Sequence, residues 1–339
     1  MRSKRAFGHV LCFERSQELE VARGELKMPT RARNWVGTWM AWCLLAVLAT
    51  TSLAQEKQAD RYFDSNGVKI HYTDVGEGEP VLLIHGFAVN IPIQWGGPGV
   101  IGSLSKEYRV IAFDNRGHGK SGKPHEPADY GANMAEDAVR LLDHLKIDKA
   151  HVVGYSMGAW ITLKLITAHP DRVRSAVLGG AGWLREGDEN WKLGEELAHS
   201  LESGKGFRPL IVELNATNEP PPSEERIRAV SLVMTATNDV KALVGVVRGM
   251  NGLIVSESSL ANNQVPTLAI VGDQDPLKAK NVDPMIGKMK NLELVVVENA
   301  DHMTTFLKPE FFRSLRAFLA ANSSKELSGS TEAKEKSDR

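Results

Sequence analysis

Segments with a continuous apolar centre recur along the chain, and they constrain the fold more than any other feature. They occupy residues 80–86, 108–117, 149–156, 173–182, 265–275 and 292–302. Apolar runs that do not alternate with polar residues are typical of strands buried on both faces of a parallel sheet. A hairpin signal, Asn66-Gly67, precedes them. Helical patterns separate several of them, at 133–147, 157–169 and 309–321. This alternation predicts an α/β fold with a mostly parallel, doubly wound sheet.

One long stretch departs from that alternation. Residues 183–264 contain several helical patterns but no strong strand pattern. We therefore expect a helical cap there, inserted into an α/β core that consists of residues 55–182 and 265–322. The polar, mixed-charge residues 323–339 are predicted to be a disordered tail.

Charge and cysteine content limit the possible partners. The 339-residue chain has a formal net charge of −1 and no stripe of Lys and Arg, so nothing in it predicts a nucleic-acid interface. The two cysteines, Cys12 and Cys43, both precede the predicted core. The core therefore has no cysteine for a disulfide or for a metal site.

A basic and then apolar segment precedes the core. Arg31 and Arg33 stand before the apolar, uncharged residues 35–49, and small residues follow up to Ala54. This order is typical of a signal peptide, and residues 35–49 are shorter than the roughly 20 residues of a membrane-spanning helix. We expect residues 28–54 to be a signal peptide cleaved after Ala54, and the mature protein to be exported to the periplasm or secreted, without a stable membrane span.

The alternative is an uncleaved membrane anchor formed by residues 35–49. Residues 1–27 are polar and aperiodic, and form an N-terminal extension ahead of the signal pattern. A true start at Met28 rather than Met1 would explain them. The sequence does not indicate an oligomeric state.

The stretch GYSMG, from Gly154 to Gly158, lies between a strand pattern and a helical pattern. Gly-x-Ser-x-Gly in this context is typical of a nucleophile on a sharp, strained turn, where the flanking positions have no room for a Cβ. The N-terminus of the following helix favours negative charge beside the serine. The pattern therefore predicts that Ser156 is a nucleophile supported by Gly154 and Gly158.

A nucleophilic serine needs a base, usually histidine, and an acidic residue that orients the base. Three histidines follow Ser156 in the chain: His169, His199 and His302. His169 ends a helical pattern before a proline, and His199 lies in the predicted cap. His302 follows the last strand pattern, where a loop can carry it over the sheet edge, so it is the predicted base.

The acid has two candidates in the preceding strand pattern. Asp273 and Asp275 both stand at its end, and Pro276 terminates the strand directly after Asp275. The carboxyl edge of a parallel sheet is where sites are built, so either aspartate is placed to orient the base.

The motifs together resemble the α/β-hydrolase superfamily over about residues 60–322. They occur in this order: His85-Gly86-Phe87, DNRGHGKS at 114–121, GYSMG at 154–158, GDQDP at 272–276 and Asp301-His302. The resemblance implies that Asp275 rather than Asp273 is the acid. It also implies that the backbone N–H groups of Phe87 and Met157 form an oxyanion hole. We expect His85 itself to make a structural hydrogen bond within its loop rather than to take part in catalysis.

The resemblance implies a reaction class as well. Ser156, His302 and Asp275 would cleave a small-molecule carboxylic ester with a small or medium apolar acyl group through an acyl-enzyme, with no metal or organic cofactor. Haloalkane dehalogenases and epoxide hydrolases of this fold use Asp as the nucleophile, so they fit less well. A lactonase, a C–C bond hydrolase, a cofactor-free perhydrolase and a non-catalytic or slow ligand receptor remain as alternatives. One departure from the family is Asp301, where Gly often precedes the histidine.

Overall fold

The computed structural model describes residues 60–187 and 190–324. Eight strands of that part form one sheet, in the order β1-β2-β4-β3-β5-β6-β7-β8. The strands are β1 (Arg61–Ser65), β2 (Val68–Val75), β3 (Pro80–Ile84), β4 (Arg109–Phe113), β5 (Ala150–Tyr155), β6 (Val173–Gly179), β7 (Thr267–Gly272) and β8 (Leu292–Val297). The predicted signal peptide and N-terminal extension, and the predicted tail from residue 325 onward, lie outside the described residues.

The sheet begins with the predicted hairpin, and most of its other strands are parallel. Ser65 pairs with Val68, so Asn66 and Gly67 form a two-residue loop, and both have the positive φ that such a loop requires. β2 is antiparallel to β1 and to β4, whereas the pairs from β4 through β3, β5, β6 and β7 to β8 are parallel. The predicted α/β fold with a mostly parallel sheet is therefore confirmed.

The sheet has a separate apolar core on each face, because side chains of a strand alternate between faces. Leu82 and Val152 belong to one core, and Val81 and Val153 to the other. Helices α2 (Ala132–His144) and α3 (Met157–Ala168) cover the first face, and α1 (Val100–Leu104) and α9 (Pro309–Ala321) cover the second.

β8 differs from the prediction of burial on both faces. Leu294 and Val296 are each 36% exposed. The reason is topological, because β8 is the last strand of the sheet and pairs only with β7. The apolar pattern of residues 292–302 predicted the strand correctly but could not reveal that it lies at an edge.

Residues 183–264, which we call the helical segment, connect β6 to β7. The helical segment contains α4 (Asn190–Glu202), α5 (Arg208–Glu213), α6 (Glu224–Thr237), α7 (Val240–Gly249) and α8 (Glu257–Asn262). α6 and α7 begin where Ser223 and Asp239 accept hydrogen bonds from the backbone N–H groups of Arg226 and Ala242. Leu197, Phe207 and Leu243 and their neighbours form a small apolar core, which also includes Ala88 from the loop after β3.

No single helix among residues 60–187 and 190–324 has both the length and the hydropathy that a membrane span requires. Glu224–Thr237 and Val240–Leu253 together have both, with a bend of 98° between the two.

Candidate active site

Ser156 occupies a strained corner between β5 and α3. Its backbone has φ 56° and ψ −121°, a combination that L-residues rarely adopt. The two flanking glycines are required by contact: a Cβ at Gly154 would lie 2.1 Å from the carbonyl oxygen of Gly158, and one at Gly158 would lie 2.1 Å from that of Ile84. The turn therefore holds the Ser156 side chain above the carboxyl ends of β3 and β5.

Three predicted site residues meet at this corner. The Nε2 atom of His302 lies 3.0 Å from Ser156 Oγ, and its Nδ1 atom lies 2.8 Å from Asp275 Oδ2. His302 and Asp275 are 3% and 2% exposed, so their hydrogen bond is shielded from solvent, whereas Ser156 is half-buried. With Nδ1 donating to the carboxylate, Nε2 is left to accept the hydroxyl proton.

Asp275 and His302 reach the corner from the ends of β7 and β8. Asp275 follows β7, and its second carboxylate oxygen, Oδ1, accepts a hydrogen bond of 2.9 Å from the backbone N–H of Leu277. The loop after β8 carries His302, and the hydroxyl of Tyr155 donates a 2.7 Å hydrogen bond to the His302 carbonyl oxygen. These hydrogen bonds hold the Asp275 carboxylate and the backbone of His302 in position.

The other two aspartates of these loops have different partners. Asp273 is exposed, and its Oδ1 accepts a 3.1 Å hydrogen bond from the backbone N–H of Ala300. Asp301 accepts hydrogen bonds from the backbone N–H groups of Met303 and Thr304 and from the Thr304 hydroxyl. Asp273 and Asp301 therefore fold the loop that carries His302, and neither contacts the imidazole.

The predicted oxyanion residues lie beside Ser156. Met157 is the first residue of α3, so its N–H has no acceptor within the helix. Phe87 lines the same cavity as Ser156. Gly86 packs closely there, because a Cβ at this position would lie 3.2 Å from Ser156 Cβ. Both backbone segments are thus close to Ser156.

His85 and His118 form a buried pair under this loop. His85 Nδ1 donates to the Gly86 carbonyl oxygen at 2.7 Å, and its Nε2 accepts from the backbone N–H of Asn115 at 2.9 Å. The His118 ring meets the rings of His85 and Phe87 edge-on. Burial lowers the pKa of His85, and burial together with the neighbouring His85 lowers the pKa of His118 to about 3. Both rings are therefore neutral supports of the loop at neutral pH.

The remaining candidate histidines lie elsewhere. His169 Nε2 is 2.7 Å from Glu136 Oε1 at the end of α3, and His199 is exposed on α4. Neither contacts Ser156.

A narrow cavity of about 80 Å³ opens onto Ser156. Its wall is almost entirely carbon, with residues from the core and from the helical segment. The core contributes Phe87, Ser156, Trp160 and Leu277, and the helical segment contributes Leu184, Trp191, Leu193, Gly194, Leu197, Leu210, Glu213, Leu214, Val247 and Met250. Glu213 is the charged side chain of this wall, and it forms an ion pair with Lys280.

Sequence reasoning missed several of these residues. Trp160 lies in the first turn of α3, which begins directly after Ser156, and its closeness in the sequence to the predicted nucleophile could have indicated that it lines the cavity. Glu213 gives no comparable sequence signal, because α5 is short and its orientation depends on tertiary packing. The Gly-x-Ser-x-Gly pattern does not specify the residue before the serine, so it predicted no role for Tyr155.

Comparisons with known proteins agree with this architecture. Residues 79–192 match the family model described as alpha/beta hydrolase fold. The chain is 39% identical over 149 residues to a 2-hydroxymuconate semialdehyde hydrolase of Pseudomonas sp. (strain CF600). The matched region covers 44% of this chain and 49% of that protein. The chain thus spans about half the length of this relative.

Two other similar proteins extend over more of the chain. A 2-hydroxy-6-oxo-6-(2'-aminophenyl)hexa-2,4-dienoic acid hydrolase of Metapseudomonas resinovorans is 26% identical over 279 residues, which is 76% of this chain and 90% of that protein. The solved structure of a thermophilic esterase from Thermogutta terrifontis superposes with a TM-score of 0.65 at 23% identity, over 79% of this chain and 100% of that one. At that identity the superposition is evidence for the fold alone.

The sheet order, the strand-to-helix corner and these similarities define the class of protein. The described residues have the α/β-hydrolase fold, and residues 79–192 match the model of that family.

Proposed function

We propose that this protein is a serine hydrolase that cleaves carboxylic esters through an acyl-enzyme. The observation that supports this most strongly is the continuous hydrogen-bonded series from Asp275 through His302 to Ser156, with distances of 2.8 and 3.0 Å. A nucleophile, a base and an orienting acid in this geometry are the recognised requirement for acyl transfer. The position of Ser156 at the wall of a carbon-lined cavity supports an organic acyl substrate.

The proposed reaction has two halves. Ser156 Oγ attacks the ester carbonyl carbon while His302 Nε2 takes the hydroxyl proton, and Asp275 stabilises the imidazolium. The N–H groups of Phe87 and Met157 stabilise the negative oxygen of the tetrahedral intermediate. His302 then protonates the departing alkoxide. In the second half, water gives a proton to His302 and attacks the acyl-enzyme, and His302 then returns that proton to Ser156 Oγ as the carboxylic acid is released.

The cavity wall supports a neutral substrate with an apolar acyl group of small or medium size. Its side chains are aliphatic or aromatic, apart from Ser156 and the paired Glu213. Burial of methylene groups against such a wall contributes about 0.8 kcal/mol for each group. Affinity should therefore increase with acyl length until the cavity is filled.

A C–C bond hydrolase is the second candidate, and the names of the two curated relatives favour it. The same Ser156, His302 and Asp275 would serve that reaction. The carbon-lined wall, with Glu213 as its charged side chain, fits the carboxylate of a dienoic acid less well than it fits a neutral ester. A lactonase, a perhydrolase and a slow receptor on the same fold are further outcomes of the test.

The decisive experiment uses a chain-length panel of p-nitrophenyl esters and a serine-directed phosphonate. We expect multiple turnovers, and phosphonate labelling of Ser156 that is absent in Ser156→Ala. Ser156→Ala and His302→Ala should each lower kcat by about 10⁶-fold, with little further loss in the double variant, because the residues act as a unit. A single turnover would indicate a receptor. Full activity of Ser156→Ala, or labelling of another serine, would refute the proposal.

A further inference from the structure

β8 lies at an edge of the sheet, and within the described part of the chain its outer side has no partner strand. β8 pairs with β7 alone. The carbonyl oxygens of Asn291 and Val297 accept hydrogen bonds from backbone N–H groups at the two ends of β7. Backbone groups of successive residues point to opposite sides of a strand, so those of Leu292, Leu294 and Val296 point away from β7. This edge can therefore pair with another strand.

The side chains of these outward-pointing residues form an apolar strip on one face of the sheet. Leu294 and Val296 are each 36% exposed, and Leu292 is half-buried. A lysine, a proline or a bulge commonly prevents an edge strand from pairing with another chain, but β8 has none of these. The opposite edge strand, β1, contains the charged residues Arg61 and Asp64 instead. β8 is thus the edge that favours association.

The sequence of β8 is complementary to itself in an antiparallel register centred on Leu294. In that register Leu294 lies opposite its counterpart in a second copy, and Leu292 lies opposite Val296, so apolar side chains meet across the pair. Lys290 and Glu298 flank β8, and they lie opposite each other at both ends of the pair. Both are exposed, and neither forms an ion pair within the described residues. The same register therefore matches the apolar and the charged side chains.

Other antiparallel registers fit this strand less well. A shift by one residue would put inward-pointing backbone groups opposite outward-pointing ones, which breaks the hydrogen-bond pattern. A shift by two residues would place Glu298 or Lys290 opposite an apolar side chain. In the register centred on Leu294, Glu293 lies opposite Val295, so like charges are not directly opposed there.

We propose that two copies of this protein associate through antiparallel pairing of their β8 strands about a two-fold axis at Leu294. The pairing continues the eight-stranded sheet of one copy into the sheet of the other. A second copy is the partner because the same strand, reversed, matches the backbone groups, the apolar strip and the flanking charges together. A two-fold contact of this kind also closes on itself, so it yields a dimer rather than a fibre. The inference does not depend on the proposed function.

Sedimentation equilibrium of the purified full chain over a range of concentrations measures the dissociation constant of the dimer. Leu294→Lys places two ammonium groups opposite each other at the axis, and should raise this constant by about tenfold or more. Leu232→Lys is the matched control, because Leu232 is 71% exposed on α6, away from β8. It should leave the constant unchanged. Circular dichroism should show the parent's secondary structure in both variants, since both positions are exposed.

A charge exchange tests the register itself. Lys290→Glu and Glu298→Lys each create like-charged pairs at both ends of the interface, and each should raise the dissociation constant by about tenfold. The double variant restores opposite charges and should return the constant to within about threefold of the parent. Lys106→Glu, at an exposed position before β4, should have no effect. Weakening in the double variant that equals the sum of the two single effects would overturn the register.

A disulfide provides an independent measure of the same geometry. The test uses a chain in which Cys12 and Cys43 are replaced by Ser. Opposed Cα atoms in a hydrogen-bonded antiparallel pair are about 5.5 Å apart, a distance that a disulfide can span. Leu294→Cys should therefore form a covalent dimer on mild oxidation. Val296→Cys should not, because its two copies would be separated by four residues along the pair, which is about 13 Å.

The results that would overturn the proposal are distinct. A parent that stays monomeric at every concentration would do so, and hydrogen exchange at the amides of Leu294 and Val296 would then show whether another segment of the chain covers the edge. Dissociation by Leu232→Lys in place of Leu294→Lys would assign the contact to α6. Equal cross-linking of Leu294→Cys and Val296→Cys would exclude a two-fold axis at Leu294.

Discussion

The hydroxyl of Tyr155 donates a hydrogen bond of 2.7 Å to the backbone carbonyl oxygen of His302. The Tyr155 ring also lies 5.6 Å from the imidazole and packs edge-on against Phe306. Burial raises the pKa of Tyr155 well above its ordinary value, so the hydroxyl stays protonated and remains a donor. The residue immediately before Ser156 thus holds the loop that carries His302.

Removal of this hydroxyl should loosen the loop. Tyr155→Phe leaves a buried carbonyl without its donor, so we expect a loss of about 1–3 kcal/mol in the free energy of unfolding. We also expect a lower kcat, because His302 is less well positioned. Tyr130→Phe is the control, since Tyr130 is also buried and donates to the carbonyl of Pro124, away from His302. Urea unfolding and ester kinetics measure both effects. Equal kcat losses in the two variants would contradict the positioning role.

The two aspartates after β7 should differ sharply in their effect on rate. Asp275→Asn removes the charge that faces His302 Nδ1 and should lower kcat by about 10⁴-fold. Asp273→Asn keeps an oxygen that can accept from the N–H of Ala300, and should lower kcat by less than about tenfold. Steady-state kinetics on the best p-nitrophenyl ester provide the comparison. A reversed ranking would assign the acid to Asp273.

Replacing glycine by alanine should lower the stability of the protein at the Ser156 corner and raise it in an exposed helix. Gly154→Ala places a Cβ against the carbonyl of Gly158, where neighbouring backbone has to shift, so we expect a loss of about 3 kcal/mol or more, or failure to fold. Gly102→Ala in α1 has nothing within 4 Å of the new Cβ and should gain about 0.4–1 kcal/mol. Denaturant unfolding of the two proteins compares them directly. A Gly154→Ala protein of parent stability would show that the corner is not tightly packed.

The buried His118 should make the protein less stable in mild acid. Its pKa is about 3 in the folded protein, against about 6.5 in the unfolded chain. Between those values the unfolded chain binds a proton that the folded protein does not, so the contribution of His118 is complete above pH 6.5 and is lost as the pH falls towards 3. In His118→Asn, the slope of unfolding free energy between pH 6 and 4 should decrease by about 1.4 kcal/mol per pH unit. An unchanged slope would mean that His118 is protonated in the folded protein.

The sequence predicted the order of strands and helices well, because apolar runs and helical periods are local properties. It also predicted the hairpin at Asn66, where two residues suffice to define the loop. The exposure of β8 could not be predicted, since an edge strand is defined by the neighbour it lacks. The same limit applies to Glu213, because only the packing of α5 against α4 and α6 brings this residue to the cavity.

The residues of the candidate site also differ in whether local sequence patterns could predict their roles. Local motifs singled out Ser156, and His302 was predicted because it is the histidine that follows the last strand pattern. The residues left two acids open, and the structure brings Asp275 to the imidazole because the loop after β7 turns its carboxylate inward. Asp273 receives the backbone N–H of Ala300 instead, a role that depends on the adjacent loop and that no spacing could have revealed.

β6 and β7 are neighbours in the sheet although residues 180–266 separate them in the chain. The entropy of closing a loop grows slowly with its length, by only about 0.6 kcal/mol for each doubling. Lengthening or shortening the helical segment is therefore nearly neutral for assembly of the sheet. The helical segment also supplies most of the cavity wall, whereas Ser156, Asp275 and His302 follow the carboxyl ends of β5, β7 and β8. Changes in the length or sequence of the helical segment can therefore alter which molecules fit the cavity while Ser156, Asp275 and His302 keep their positions.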